Sequence, residues 1–203
     1  MKNIILIGAG GHCRSCIDVI ESEKKYKIIG LVDENKNIIN KDYKILGGDN
    51  NLKLFFKKAK FALITLGQIK DSKKREKIFN FSKKIGYKFP SIISPFAYVS
   101  PKAIIGEGTI IMHGAVVNTG SKIGKNCIIN SKSLVEHDVI VGDNCHLSTR
   151  STLNGGVNLG NNSFIGSNSV IKQNITISKN CFINANLFID KNIKINSKIY
   201  EKE

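Results

Sequence analysis

From Ala97 to Lys198 the hydrophobic positions recur with a period of six. Counting from Val99 through Ile105, Ile111 and Val117 to Ile189 and Ile195, seventeen successive steps land on Val, Ile or Leu. Two residues before each stands a small or aliphatic one: Ala103, Thr109, Ala115, Ser121, Cys127, Ser133, Val139, Cys145. Just after it Gly or Asn is frequent, as at Gly106, Asn118, Gly124, Asn130, Gly142, Asn154, Gly160 and Gly166. An amphipathic strand alternates with period 2 and a helix with about 3.6; a period of six belongs to the hexapeptide repeat of a parallel β-helix. Three hexads close one triangular coil, so residues about 18 apart stack. The aliphatic residue points inward, the small one fits the corner, and the Gly or Asn after the aliphatic residue is expected to supply the turn's left-handed backbone. The expected fold here is a left-handed parallel β-helix, with no insertion long enough to project a loop.

The first 90 or so residues read differently. Residues 3–7 form an apolar run, followed by Gly8-Ala9-Gly10-Gly11-His12. A helix is expected over about 12–24, with Ile17, Val19 and Ile20 on its apolar side. A second strand at 27–32 ends at Asp33, a third spans Phe61–Leu66 before Gly67, and a helix follows from about Ser72 to Ile85. Strand, glycine turn, helix, strand is a βαβ unit whose helix N-terminus suits a phosphate. The expected organisation is therefore a small α/β Rossmann-like domain over 1–92 and an all-β left-handed β-helix over 93–203.

The glycine turn matches a dinucleotide fingerprint only in part, because Cys13 stands where Gly-x-Gly-x-x-Gly needs its third glycine. Asp33 lies near where an acidic ribose ligand would sit. With about three parallel strands the domain is also short for NAD. Nucleotide-sugar binding, NAD binding and a purely structural turn are the three readings, and the first fits best.

Composition changes this picture little. The 203 residues carry a net charge of +15, but the lysines are scattered with few interleaved aromatics, so a solvated surface explains them better than nucleic-acid binding. A positive field also draws in anionic small substrates. No apolar run approaches the 18 or so residues of a membrane span, and the glycine-broken start does not resemble a signal peptide; a cytoplasmic location is expected. Cys127, Cys145 and Cys181 share the small position of the hexad and read as buried core. Cys13 and Cys16 form a Cys-x-x-Cys that could be redox-active, although the odd cysteine count argues against a disulfide framework.

Of the four histidines, His137 stands out. Val135 points inward, so His137 lies on the outward turn with Glu136 and Asp138 beside it, and an acidic neighbour fixes an imidazole's tautomer and raises its basicity. His146, nine residues on, falls on a different face, so the two meet only across a subunit boundary. The spacing of His113, His137 and His146 does not place them on adjacent turns of one face, so a zinc site is not expected.

Together these residues resemble the bacterial sugar O/N-acyltransferases of the sialic acid O-acetyltransferase type (NeuD/PglD-like), which include N-acetyltransferases of nucleotide-linked 4-amino-4,6-dideoxy sugars. The shared marks are Gly8 to His12, Asp33-Glu34, Gly67, Ile129-Asn130-Ser131, Val135 to Asp138, Cys145 to Ser148 and Gly155-Gly156-Val157. The resemblance implies a homotrimer with acetyl-CoA between neighbouring β-helices and the UDP- or GDP-linked amino sugar on the N-terminal domain. It implies His137 as general base with Asp138 as its acidic partner, and Asn130 near the acceptor. His146 and the backbone at Ser167 and Ala185 would contact acetyl-CoA. His12, Cys13, Arg14, Asp33, Glu34 and Gly67 would contact the nucleotide sugar. The implied activity is N-acetylation in surface glycan or nonulosonic acid synthesis, without a metal. O-acetylation of a sialic-type sugar is the alternative within the family; a scaffold or nucleotide-sugar sensor, and an NAD-dependent redox enzyme, are the alternatives outside it. Two departures stand out: relatives often carry a Gly-x-Pro-Ala segment closing over CoA where this chain reads Ile195 to Tyr200, and Ser94 stands where relatives often have His.

Overall fold

The computed structural model describes residues 1–35 and 42–201. The N-terminal domain is a four-stranded parallel sheet of order β3-β2-β1-β4, formed by β1 (Lys2–Ile7), β2 (Tyr26–Val32), β3 (Ile45–Gly47) and β4 (Phe61–Ile64). Helix α1 (Gly11–Glu23) covers one face through Cys13, Cys16, Ile17 and Ile20. Helices α2 (Leu52–Phe55) and α3 (Lys73–Ile85) cover the other, around Leu52, Phe55, Ile78 and Phe79. A parallel sheet buried on both faces needs near-continuous apolar strands, which β1 and β4 supply. Strand β3 and helix α2 are additions to the three strands expected. Strand β3 is only three residues long and follows a polar stretch, so it carries no alternation to read.

Residues 92–199 form the left-handed parallel β-helix, eighteen two-residue strands stacked in three sheets of seven, six and five. The first face runs from Ile92–Ile93 through Ile128–Ile129 and His146–Leu147 to Lys198–Ile199, the second from Tyr98–Val99 to Phe188–Ile189, the third from Ile104–Ile105 to Thr176–Ile177. The coil period is 18 residues, as in the pairing of Ile123 with Val141. The aliphatic ladder fills the interior: Ile111, Ile129, Leu147 and Ile165 are fully buried.

The corners differ from expectation. The left-handed residue is three positions after the aliphatic one, not one: Gly114, Gly120, Asn126, Asp138, Asn144 and Asn162 all have positive φ. The glycines directly after the aliphatic residue serve close approach instead. A Cβ on Gly166 would lie 2.3 Å from the carbonyl carbon of Asn184 one coil on. The small corner position also has a polar role. Ser121 Oγ donates to the Glu136 carbonyl (2.6 Å) and Ser169 Oγ to that of Asn184 (2.6 Å), and Cys127 Sγ reaches the Gly142 carbonyl at 3.1 Å in the same way. A hydroxyl or thiol therefore satisfies a turn carbonyl that would otherwise be buried unpaired.

The ladder slips in its last coil. Ile177 bridges Ile193 and Ile183 pairs with Ile199, a spacing of 16. Ile193 is buried and Ile195, counted as the seventeenth step, is 49 % exposed. Two residues fewer in that coil move the inward position forward.

Outward residues of the first face join the domains. Ile92, Ile110 and Ile128 are buried against α1 in one cluster with Cys13, Cys16, Ile17 and Ile20. The first strand of the β-helix is Ile92–Ile93, and the two domains share a core. His113 adds a polar contact, with Nε2 2.9 Å from Asp18 of α1 and Nδ1 2.6 Å from Ser94 Oγ. Ser94 therefore orients that histidine.

Candidate active site

The outward column on the first face reads Ile92, Ile110, Ile128, His146, Phe164, Phe182. It is aliphatic where α1 covers it and aromatic where the cover ends. His146 sits at the change, edge-on to Phe164 with centroids 5.2 Å apart; Phe164 stacks on Phe182 at 5.1 Å. From the N-terminal domain, His12 in the first turn of α1 comes within 6.5 Å of the His146 ring, and the segment after β4 brings Gly67 and Gln68. A cavity of about 390 Å³ results, lined among others by His12, Gly67, Asn130, His146, Ser167 and Ala185. Six of the twelve residues expected at the site thus converge on one interdomain pocket.

His146 is held on both sides. Its Nδ1 donates to the Gln68 carbonyl, so Nε2 is the acceptor, 3.3 Å from Asn130 Nδ2. Burial pulls its pKa down to about 4, and Arg75 adds to the lowering. Burial likewise takes His12 to about 3, with Arg75 and then His146 contributing, and its Nε2 is buried without a partner. Both imidazoles are neutral near pH 7.

The glycine turn is built for close approach. Gly8 has φ +108° and would bring a Cβ within 2.7 Å of Leu66, whereas nothing lies within 4 Å of a Cβ on Gly10 or Gly11. Helix α1 has no side-chain cap and no acid in its first turn, leaving amides and a positive dipole end facing open space. Asp33 accepts from the Ala9 amide (2.8 Å) and the Asn35 amide (2.9 Å), tying the turn to the end of β2. Glu34 accepts from the Asp49 amide at 2.7 Å. These two carboxylates border a separate small crevice, with Gly8, Leu66 and Lys74.

Two expectations at this turn change. Cys13 is 0 % exposed in the core, so its side chain contacts no ligand from there; burial pushes its thiol up to about 11 and that of Cys16 further still, which leaves the Cys-x-x-Cys as inert core rather than a redox pair. Arg14 is exposed on α1 and lies outside the pocket lining.

His137 lies elsewhere. It follows the strand Leu134–Val135 of the second face, at the corner leading to the third, and its side chain is 61 % exposed. Its Nδ1 is 2.9 Å from Asp138 Oδ2, so Nδ1 carries the proton and Nε2 a free lone pair. The ring rests over Gly155, where a Cβ would come within 2.6 Å of Cε1 and Nε2. Asp138 takes the left-handed corner at φ 59°, which aims its carboxylate back along the turn. Within one chain the second face separates His137 from the pocket. Gln68, Phe164 and Arg75 are site residues that sequence reasoning missed. Arg75 had a signal: a cation at helical spacing with Ile78, Phe79 and Ser82 on a face otherwise buried.

A parallel-sheet domain with an open helix N-terminus, docked on a hexapeptide β-helix across a histidine-lined pocket, defines a hexapeptide acyltransferase. Residues 3–81 match the PglD N-terminal domain, 120–155 the bacterial transferase hexapeptide (six repeats), and 156–191 the hexapeptide repeat of succinyl-transferase. Together the three matches cover residues 3–81 and 120–191, and they describe a hexapeptide-repeat acyltransferase with a PglD-type N-terminal domain. Perosamine N-acetyltransferase from Caulobacter crescentus, solved as a histidine variant with CoA and GDP-perosamine, superposes with TM-score 0.90 at 25% identity, covering 98% of this chain and 91% of that one. The acetyltransferase domain of PglB from Neisseria gonorrhoeae FA1090 gives TM-score 0.91 at 26% identity, covering 98% and 96%; a second structure of that domain contains acetyl coenzyme A. No curated protein matches the sequence.

Proposed function

We propose that the protein is an acetyl-CoA-dependent N-acetyltransferase acting on the amino group of a UDP- or GDP-linked 4-amino-4,6-dideoxy sugar, in surface glycan or nonulosonic acid synthesis. The observation that carries this reading is the interdomain pocket, where the nucleotide-facing turn of one domain meets the histidine and small-residue groove of the other. The full-length likeness to a GDP-perosamine N-acetyltransferase supports the substrate class.

The chemistry follows from the groups available. Acetyl-CoA lies along His146, Ser167 and Ala185, with Asn130 near the acceptor amine and the sugar diphosphate at the start of α1. The amine attacks the thioester carbonyl carbon, forming the C–N bond as the C–S bond breaks. His137 Nε2 takes the amine proton, and Asp138 stabilises the imidazolium. CoA leaves as the thiolate and is then protonated. Positioning and a single proton acceptor are what such a step requires.

The separation of His137 from the pocket within one chain favours a site shared between chains, the pocket of one subunit facing His137 of the next in a homotrimer. The assay is CoA thiol release with UDP- and GDP-4-amino-4,6-dideoxy sugars and with sialic acid. Release with an amino sugar, lost in His137→Gln, is the expected result; release with sialic acid alone overturns the reading.

A further inference from the structure

Arg75 lies on the inward face of α3, 1 % exposed, and none of the ion pairs among the described residues involves it. Its Nη1 donates to the carbonyls of Ile64 (2.9 Å) and Leu66, and its Nη2 to the carbonyl (3.2 Å) and side-chain oxygen (2.9 Å) of Asn126. Nε has no partner. The ionisable groups that interact with it are His12 and Cys16 of α1 and Cys127 and His146 of the β-helix, none of them a carboxylate. Desolvation lowers its pKa to about 10, so it remains a cation. A buried cation without a carboxylate is unfavourable, and its placement calls for a reason beyond joining two domains that already share an apolar core.

The reason lies in what its partners hold. Ile64 and Leu66 lead directly into Gly67 and Gln68. Because Asn126 turns its oxygen to Arg75, its amide nitrogen faces Asn144 Oδ1 (2.9 Å), and the same polarity continues down the corner to Asn162, Asn180 and Asn196. Gln68 Nε2 donates to the Asn144 carbonyl at 2.8 Å. Arg75 therefore fixes both the chain that delivers Gln68 and the corner on which Gln68 docks. The Gln68 carbonyl in turn accepts from His146 Nδ1.

We propose that Arg75 is a positioning residue for the pocket, clamping the Ile64–Gln68 segment to the β-helix so that His146 is held as the Nδ1–H tautomer with Nε2 presented as a hydrogen-bond acceptor. The tautomer part stands on geometry alone; the ligand, an amide N–H of the acetyl-CoA pantetheine arm that takes the place of Asn130 Nδ2, 3.3 Å from Nε2, rests on the acetyltransferase reading. The positive charge also opposes protonation of His146, which would abolish the acceptor.

The test uses the full-length protein with ¹⁵N-labelled imidazoles. Arg75→Lys is expected to weaken the Nδ1–H signature of His146 and to raise KM for acetyl-CoA about tenfold with kcat little changed, as loss of ligand positioning does. Asn126→Gly keeps the left-handed corner and removes the side-chain half of the clamp; it is expected to shift both readouts the same way, and it alone decides if Arg75→Lys fails to fold. Unchanged His146 resonances and unchanged KM in a folded variant overturn the proposal. If the wild-type protein releases no thiol with any amino sugar, the acetyltransferase reading fails, while the resonances still report on the clamp.

Discussion

At the scale of single residues, the proposed chemistry rests on one imidazole and the two neighbours that shape its position. His137 uses Nδ1 toward Asp138, and its ring lies where a side chain on Gly155 would stand. Gly155→Ala is therefore expected to displace the ring and lower kcat by about 10²-fold, the usual size of a misplacement near 1 Å, with the melting temperature within a few degrees of wild type. Steady-state kinetics beside a thermal melt checks both halves. Asp138→Asn keeps a residue that tolerates the left-handed corner but offers its amide in place of the carboxylate. It is expected to lower kcat about tenfold or more at unchanged KM. His137 was singled out in the sequence because an imidazole between two acids is not what a hexad corner needs, whereas the role of His146 came only from the family resemblance. Gln68 was not legible, since its role lies in a backbone carbonyl and any residue type carries one. Asp33 was read as an acid at the end of the second strand, near where a ribose ligand would sit; its bond to the Ala9 amide was not legible.

At the scale of the element, the hexad encodes a coil through two different corner demands, and the sequence alone assigned them to the wrong places. Gly and Asn recur both one and three residues after the aliphatic position, and composition does not separate a need for positive φ from a need for empty space. The structure separates them, and substitution can too. Gly114, at φ +69°, occupies the position that Asn fills in most later coils, and a Cβ there meets only Lys132 Cγ at 3.3 Å. Gly114→Asn is expected to be tolerated within about 0.5 kcal/mol. Gly166→Ala drives a Cβ into the backbone of the next coil and is expected to be destabilising by about 1–3 kcal/mol, read as a shift in denaturation midpoint at constant m. The period itself was fully legible over sixteen steps. The last failed because a two-residue deletion leaves an isoleucine at each candidate position, Ile193 and Ile195, and only pairing tells which turns inward.

At the scale of the whole molecule, docking the two domains buries two neutral imidazoles and leaves the proposed base, His137, outside the pocket they line. The first consequence is a pH dependence of stability. Unfolded histidines bind protons from about pH 6.5 downward, whereas His146 and His12 in the fold resist until about 4 and about 3. Between those limits the unfolded chain binds more protons, so stability is full above pH 6.5 and falls as pH drops, by up to about 1.4 kcal/mol per pH unit for each group. The melting temperature should fall between pH 6.5 and 4, and His146→Gln should flatten that fall relative to wild type. The second consequence concerns assembly. If the pocket of one subunit works with His137 of the next, a chain disabled by His137→Gln still offers an intact pocket, and one disabled by His146→Gln still offers an intact base. Each is inactive as a homotrimer. Co-expressed at equal levels, they form mixed trimers in which one of the three junctions pairs an intact base with an intact pocket, so about a quarter of all sites recover. A site contained within one chain recovers nothing in any mixture, because every chain then carries one of the two lesions. Thiol release by the co-expressed pair, measured against equal amounts of the two separate variants, distinguishes these arrangements, and sedimentation of the same sample reports whether three chains assemble.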